Sequence, residues 1–174
     1  TILPTPWEHQ DVGAVGAAGS ASYVSSTFTL QAQGADMWGT SDQVHVVYQP
    51  LEGNGEIRAR VVTLSTNSNR GAKSGVTIRE SIYTGSKQAS VFMTPGSGAL
   101  FQCRSTTGGS STQVGSSSGR VVPYWVRLVR NGSTFTGYRS SNGSRWTSLG
   151  STTISMSNRV FIGLVLASRN ASAM

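Results

Sequence analysis

The chain has 174 residues, which is enough for one domain with a buried core. Charged residues make up only 12% of it, the formal net charge is +7, and nearly all of the positive charge is arginine. Gly, Ser and Thr are abundant and strong helix formers are scarce, which excludes a mainly helical protein and favours an all-β fold. The arginines are spread along the chain, unlike the clustered basic residues of a nucleic-acid binder, and no apolar run reaches the roughly 20 residues that span a membrane.

Ten short strands are predicted, separated by turn signals such as "EGNG", "TPGSG", "RNGS" and "SSNGS". Many short strands with frequent turns and no helical period are typical of a β-sandwich or a barrel. The polar, Gly-rich segment "TTGGSSTQVGSSSG" at 106–119 is predicted to be a surface loop. The predicted strands are Thr27–Gln33, Gln43–Gln49, Glu56–Leu64, Gly75–Ser81, Ala89–Thr94, Ala99–Ser105, Tyr124–Arg130, Thr134–Ser140, Arg145–Leu149 and Arg159–Ala167.

The segment "EHQD" at 8–11 offers carboxylate oxygens near the beginning of the chain. Glu8 and Asp11 could ligate a structural Ca²⁺, but the cluster is short and has no C-terminal partner group. His9 and His45 do not form a transition-metal signature. We therefore expect no cofactor, with a structural calcium at Glu8 and Asp11 as the weaker alternative.

Arginines recur at the polar positions of several predicted strands. Side chains alternate faces along a strand, so the apolar residues of each strand point to the core and the arginines point away. Like charges on one face repel one another unless they are solvated, well separated or neutralised by an anion. A face of this kind therefore suits an acidic or planar ligand. The alternative is that the arginines only keep an exposed sheet soluble, their stems covering apolar surface. If these strands share one sheet, the arginines of its outer face are Arg58, Arg60, Arg79, Arg104 and Arg127.

The segment "YWVRLVRNGSTFTGYRS" at 124–140 predicts two strands joined at Asn131-Gly132, the preferred pair for a two-residue hairpin turn. That register places Trp125 opposite Tyr138 and puts both rings, with Arg127, on the face away from the core. The apolar positions that face the core are Val126, Leu128 and Phe135.

Three Asn-x-Ser sequons begin at Asn131, Asn142 and Asn170, and the first two lie in predicted turns, where they would be exposed. Whether any of them carries a sugar depends on the host.

Glycoside hydrolysis normally needs two carboxylates about 5 to 9.5 Å apart. The seven acids of this chain include no pair at i, i+2 on a predicted strand. Glu80, near the end of a strand, is expected to pair with an arginine. Cys103, the single cysteine, has no base near it in sequence and is typical of a small buried hydrophobe. We therefore expect a protein that is not an enzyme.

Five segments in order carry a resemblance to a known group of proteins: "GADMWGTSDQVHVVYQPLEGNGEIRARV", "AKSGVTIRES", "MTPGSGALFQCRS", "PYWVRLVRNGSTFTGYRSSNGSRWTSLG" and "VFIGLVLASRN". Together they resemble the secreted bacterial β-sandwich modules of the concanavalin A-like lectin/glucanase superfamily, especially the "regulation of enolase protein-like" group. The resemblance implies a jelly-roll sandwich of two antiparallel sheets, a module attached to secreted or cell-surface proteins, and no defined reaction. Two departures stand out, since Asn142 replaces an aspartate of the turn "SxDGxxW" and the family's closing strand has no counterpart before Met174.

The expected protein is thus a single extracellular β-sandwich domain over 1–174, and the three alternatives for its closing C-terminal strand are that it is absent, disordered or supplied by another chain. Its predicted function is non-catalytic binding of an acidic or neutral polysaccharide, because aromatic rings stack on sugars while polar neighbours orient them. The alternative is a structural subunit of a surface assembly, which would associate through an open sheet edge. The residues predicted to bind the ligand are Trp125, Tyr138, Arg127, Arg58, Arg79 and Arg104.

Overall fold

The computed structural model describes residues 2–65 and 71–169, which form strands, turns and loops and no helix. The all-β prediction is confirmed, and each of the ten predicted strands overlaps a strand of the structure. None of the described residues builds a helix with the length and apolar character that a membrane crossing needs. The strands are β1 (Glu8–Val12), β2 (Ser20–Val24), β3 (Thr27–Gln31), β4 (Met37–Trp38), β5 (Ser41–Asp42), β6 (Val44–Glu52), β7 (Gly55–Val61), β8 (Lys73–Arg79), β9 (Gln88–Thr94), β10 (Gly98–Arg104), β11 (Thr112–Ser117), β12 (Tyr124–Asn131), β13 (Thr134–Ser140), β14 (Thr147–Thr153) and β15 (Arg159–Ala167).

Two antiparallel sheets form the sandwich, as predicted. The larger sheet has seven strands in the order β1-β6-β15-β8-β9-β10-β11, and the smaller has four in the order β14-β13-β12-β7. Two short pairs, β2-β3 and β4-β5, stand outside these sheets. Among the described strands, β7 and β14 are therefore the edges of the smaller sheet.

The main core lies between the two sheets. Phe101 of β10, Leu128 of β12 and Phe135 of β13 are fully buried there, because alternation points every second residue of each strand inward. The sheets approach so closely at β13 that a Cβ on Gly137 would lie 2.8 Å from the ring of Phe101. Cys103 belongs to this core, in agreement with its expected role as a small hydrophobe.

The other face of the seven-stranded sheet is buried as well. Val46, Phe92 and Val165 form a second apolar cluster there, with Met37 of β4 packed onto it. The sheet therefore has an apolar layer on each side, which explains why β15 is apolar at nearly every position instead of alternating. Because this face is covered, Arg79 and Arg104 do not lie on an exposed face, contrary to what the sequence predicted.

The β12-β13 hairpin has a different register from the predicted one. Asn131 remains in β12 and pairs with Thr134, so the turn residues are Gly132 and Ser133. Gly132 has φ +60°, and Ser133 is not among the left-handed residues, as expected for a turn with glycine at its first central position. The shift of two residues preserves the predicted faces but moves Trp125 opposite Ser140.

The segment 106–119, predicted to be a loop, contains β11 instead. Thr112–Ser117 pairs with β10, and Gly115 fits against the backbone of Leu149, where a Cβ would lie 1.7 Å from the carbonyl oxygen. Its polar composition suits an edge strand whose pairing comes from the backbone. Strands β1, β2, β4 and β5 were not predicted either, since each has five residues or fewer and no clear apolar alternation.

Candidate ligand-binding face of the four-stranded sheet

The outward face of the four-stranded sheet brings several predicted residues into one row. Arg127 of β12 lies between Arg58 of β7 and Tyr138 of β13, its direct cross-strand neighbours. Tyr138 is followed across the sheet by Ser148 of β14. All four point outward, because Val126, Leu128 and the other alternate positions of these strands face the core. The next row contains Arg60 and Trp125.

Arg127 is held between aromatic rings at the centre of this face. Its guanidinium carbon lies 5.1 Å from the ring centre of Tyr138 and 5.7 Å from that of Trp146, within the range of a cation–π contact. One terminal nitrogen donates to Glu56, and the pair forms an ion pair. The Nε–H of Arg127 is buried and has no hydrogen-bond partner among the described residues. This donor lies next to two rings and is not satisfied by any described residue.

Trp146 belongs to the face although the sequence did not single it out. Its ring lies 6.4 Å from that of Trp125 in an edge-to-face arrangement, and both rings are half-buried. The motif "SSNGSRW" predicted the turn before Trp146, but its folding back over Trp125 is a tertiary contact. Gly143 of that turn packs so tightly that a Cβ would lie 2.8 Å from Trp125.

The turn that carries Trp146 is closed by its own polar side chains. Asn142 Oδ1 accepts hydrogen bonds from the backbone N–H groups of Ser144 and Arg145, both at 2.9 Å. Ser140 Oγ accepts from the N–H of Gly143 at 2.9 Å. Asn142 therefore acts as a turn residue in the place of an aspartate, as its type allows. Asn131 and Asn142 are exposed as predicted, whereas Asn170 lies outside the described residues.

Arg58 and Arg60 are the exposed charges of the face. Both extend from β7 on the same side, and neither forms an ion pair with a described residue. Glu56, two residues earlier, is paired with Arg127. The face therefore has two unpaired cations along one edge and a paired, ring-stacked arginine at its centre.

Arg79 and Arg104 do not belong to this face, which corrects the prediction. Both lie on β8 and β10 of the other sheet and are almost completely buried, at 1% and 0% exposure. Both donate hydrogen bonds to the carboxylate of Asp42. The nitrogen–oxygen distance is 2.7 Å for Arg79, and the two distances for Arg104 are 2.8 and 3.0 Å. Burial lowers the pKa of Arg79 from its usual value, and the charge of Asp42 opposes that shift. These arginines hold the loops over the second apolar cluster and are not available to an external ligand.

Glu8 and Asp11 point to opposite faces of β1. Glu8 accepts from the hydroxyl of Tyr48 at 3.3 Å, while Asp11 accepts from the N–H of Gly19 and lies 2.8 Å from His45 Nδ1. His45 Nε2 in turn lies 3.0 Å from His9 Nδ1. Among the described residues no group of three or more His, Cys, Asp or Glu side chains is arranged to hold a metal. Glu8 and Asp11 therefore have different partners in the structure, and the structural calcium considered for these two residues stays a prediction.

Comparisons with known proteins inform on the fold alone. No protein-family model and no curated protein sequence matches this chain. A functionally unknown protein from Saccharomyces cerevisiae is similar over 87% of this chain and 83% of its own, with TM-score 0.68 and 14% identity. A mutant of the GH43 protein BlXynB from Bacillus licheniformis is similar over 81% of this chain, with TM-score 0.50 and 13% identity, and the match spans 30% of that protein. At these identities both likenesses support an all-β sandwich alone. Membership of the concanavalin A-like superfamily stays a prediction.

Proposed function

We propose that this protein is a non-catalytic, extracellular glycan-binding module that binds its ligand on the outward face of the four-stranded sheet. The observation that carries the proposal is Arg127, whose guanidinium is stacked on Tyr138 and Trp146 beside the exposed Arg58. Sugar rings need an apolar platform and fixed polar groups at its rim, and this face provides both. The extracellular location rests on the resemblance of the sequence to secreted modules.

Acidic polysaccharides fit the face better than neutral ones. Arg58 and Arg60 are exposed and unpaired at its edge, and the whole chain has a net charge of +7. A guanidinium binds a carboxylate or sulfate through two parallel hydrogen bonds, so a chain of uronic acid residues would be held by charge along β7 while it stacks on the rings.

Binding without catalysis is supported by what the carboxylates do. Asp42, the fully buried acid, is bound on both sides by arginine, and Glu56 on the binding face is paired with Arg127. Glu80 accepts from the N–H of Ser157 and lies 3.7 Å from Lys87, and its charge also acts on Arg130. An acid that is held by a cation is poorly suited to donate a proton to a glycosidic oxygen.

Self-assembly through an open edge is the second function considered from the sequence. Strand β7 is such an edge, but its outward positions include Arg58 and Arg60. Two copies joined along β7 would bring these unpaired arginines together, and like charges directly opposite each other destabilise a strand pair. This argument disfavours assembly through β7, and glycan binding is the function that we propose.

The test is a glycan array followed by titration calorimetry with the best polysaccharide. Tyr138→Ala and Trp146→Ala should each weaken binding by about tenfold or more, equivalent to ~1.4 kcal/mol. Tyr83→Ala is the matched control, because Tyr83 is 63% exposed in the β8-β9 loop and touches none of these rings. Circular dichroism verifies that each variant is folded.

Two results would overturn the proposal: an array without a ligand, or a ligand whose affinity is the same for Tyr138→Ala and Tyr83→Ala. The preference for acidic sugars has its own test, since Arg58→Gln should weaken binding of a polyuronate and leave binding of an uncharged glucan unchanged. Added salt should have the same selective effect, because it screens exposed charges.

A further inference from the structure

A groove of about 860 Å³ runs along β7, on the side of the strand that faces away from β12. One wall is β7 itself and the facing wall is β3, while β15 and β6 form the floor. No described strand pairs with this second edge of β7. About half of the backbone N–H and C=O groups of an edge strand point away from its partner, so β7 presents a row of unpaired groups to the groove.

Most side chains in the interior of the groove are apolar, although Gln49 of β6 and Ser74 of β8 also lie in its floor. Leu164 and Leu166 of β15 lie in its floor, and Phe28 and Leu30 of β3 line the facing wall. Ile57 of β7 completes it from the other side. All five apolar side chains are only partly buried, although Ile57 and Leu164 already pack against the main core. The sandwich thus exposes core-like side chains directly beside free backbone groups.

This combination matches one kind of occupant. A β-strand supplies backbone donors and acceptors along one edge and presents alternate side chains to a single face, so it would satisfy β7 and cover the floor together. A helix has no free backbone groups to pair with β7, and a compact apolar ligand would leave them unpaired.

The charged residues at the rim of the groove indicate which side chains the outward face of a bound strand would carry. Arg58 and Arg60 flank the groove on the outward side of β7 and have no ion pair among the described residues. Cross-strand neighbours of opposite charge stabilise a strand pair, so acidic residues are favoured opposite these arginines. The same arginines disfavour a second copy of β7 as the partner.

We propose that this groove binds an extended peptide segment whose residues alternate between apolar and acidic. The segment adds a fifth strand to the smaller sheet beside β7, its apolar side chains covering Leu164 and Leu166 and its carboxylates meeting Arg58 and Arg60. This peptide site shares its border with the glycan-binding face, where Glu56, Arg58, Arg60 and Trp125 line both, but it does not include Tyr138 or Trp146.

The probe is a capped synthetic peptide of alternating valine and glutamate, equal in length to the 7 residues of β7. Hydrogen exchange followed by NMR should show new protection of amides in Gly55–Val61, with no change at the other sheet edges, β1, β11 and β14. Two matched control peptides are a version with alternate backbone nitrogens methylated and one with the same residues in two blocks. Each control should bind about tenfold more weakly or worse, since one lacks backbone donors and the other lacks an apolar face.

Variants of the protein separate the two features of the site. Leu166→Lys should weaken binding of the valine–glutamate peptide by about tenfold and leave glycan binding unchanged, because Leu166 lies in the floor of the groove, on the other sheet. The double variant Arg58→Glu with Arg60→Glu should reverse the preference, so that a valine–lysine peptide binds more tightly than the valine–glutamate one. Arg120→Glu, at an exposed position outside the groove, is the control and should change nothing.

Three outcomes would overturn the proposal. The first is protection at an edge other than β7, and the second is equal binding of both charged peptides by the double variant. The third is a free protein that sediments as a dimer with β7 already protected, which would make a second copy the occupant. None of these outcomes bears on Tyr138 and Trp146, so failure of the peptide site and failure of the glycan site are distinguishable.

Discussion

Burial divides the arginines of this protein into two kinds. Arg104 and Arg127 both occupy non-core positions of a strand, yet Arg104 is fully buried against Asp42 and Arg127 is partly exposed between two rings. The local sequences "FQCRS" and "WVRLV" do not separate them. The difference lies in what covers each sheet, since loops close over β10 completely, whereas the turn that carries Trp146 covers the outward face of β12 only in part.

Tyr48 provides a prediction at the scale of one residue. Its hydroxyl donates to Gln10 at 3.0 Å and to Glu8 at 3.3 Å, and burial, followed by the charge of Glu8, raises its pKa above the usual value of 10.0. Above about pH 10 the unfolded chain loses this proton while the folded protein keeps it. Because the folded state then binds more protons, its stability must fall as pH rises through that range.

The measurement is urea unfolding at about pH 8 and about pH 11. Tyr48→Phe should lose less stability between the two than the wild type, because phenylalanine has no proton to release. Tyr83→Phe, at a largely exposed ring, should behave like the wild type. Equal losses in the wild type and Tyr48→Phe would contradict the assignment.

At the scale of the element, glycine positions fix the β12-β13 hairpin. Gly132 has φ +60° in the turn, and its N–H donates to Asn54 Oδ1 at 2.7 Å. The hairpin arranges the binding face, because its register places Arg127 opposite Tyr138.

Gly132→Ala should therefore destabilise the protein by about 1–2 kcal/mol, since an L-residue is strained at this φ. Space is not the cause, because a Cβ there would meet nothing within 4 Å. Asn131→Ala should cost about 0.5 kcal/mol or less, as expected for an exposed residue that stays in the strand. Thermal or urea unfolding of both variants is the measurement, and a larger loss for Asn131→Ala would instead favour a turn centred on Asn131-Gly132.

At the scale of the whole molecule, the Arg79–Asp42–Arg104 cluster connects parts of the chain that are distant in sequence. Arg104 also donates to the carbonyl oxygens of Ser86, Gly109 and Gly39, which lie in three separate loops. One buried carboxylate thus fixes β8, β10 and the loops that cover the far side of the seven-stranded sheet.

Asp42→Asn should destabilise the protein by about 3–5 kcal/mol, because it leaves two buried guanidinium groups without a counter-charge. The comparison is Glu56→Gln, which breaks the partly exposed pair with Arg127 and should cost about 0–1 kcal/mol. Urea unfolding measures both. A loss below about 1 kcal/mol for Asp42→Asn would show that the cluster does not hold the loops together.

The sequence by itself determined the fold class and the alternation within most strands. Strands β7, β12 and β13 were predicted with the correct faces, because side-chain alternation is a local property of extended backbone. The predicted hairpin register was off by two residues, yet an even shift keeps every side chain on its face. Trp125, Arg127, Tyr138 and Arg58 therefore came together as predicted.

Only the tertiary structure decided which polar faces meet solvent. Alternation identifies the residues that share a face but does not say what packs against it, so Arg79 and Arg104 were placed with Arg127 although loops and Asp42 cover them. Trp146 joined the face through a turn that folds back over Trp125, and β11 formed because β10 offered an edge to a polar segment. The groove beside β7 likewise depends on the packing of two sheets of unequal width, a long-range arrangement that no local pattern in the sequence encodes.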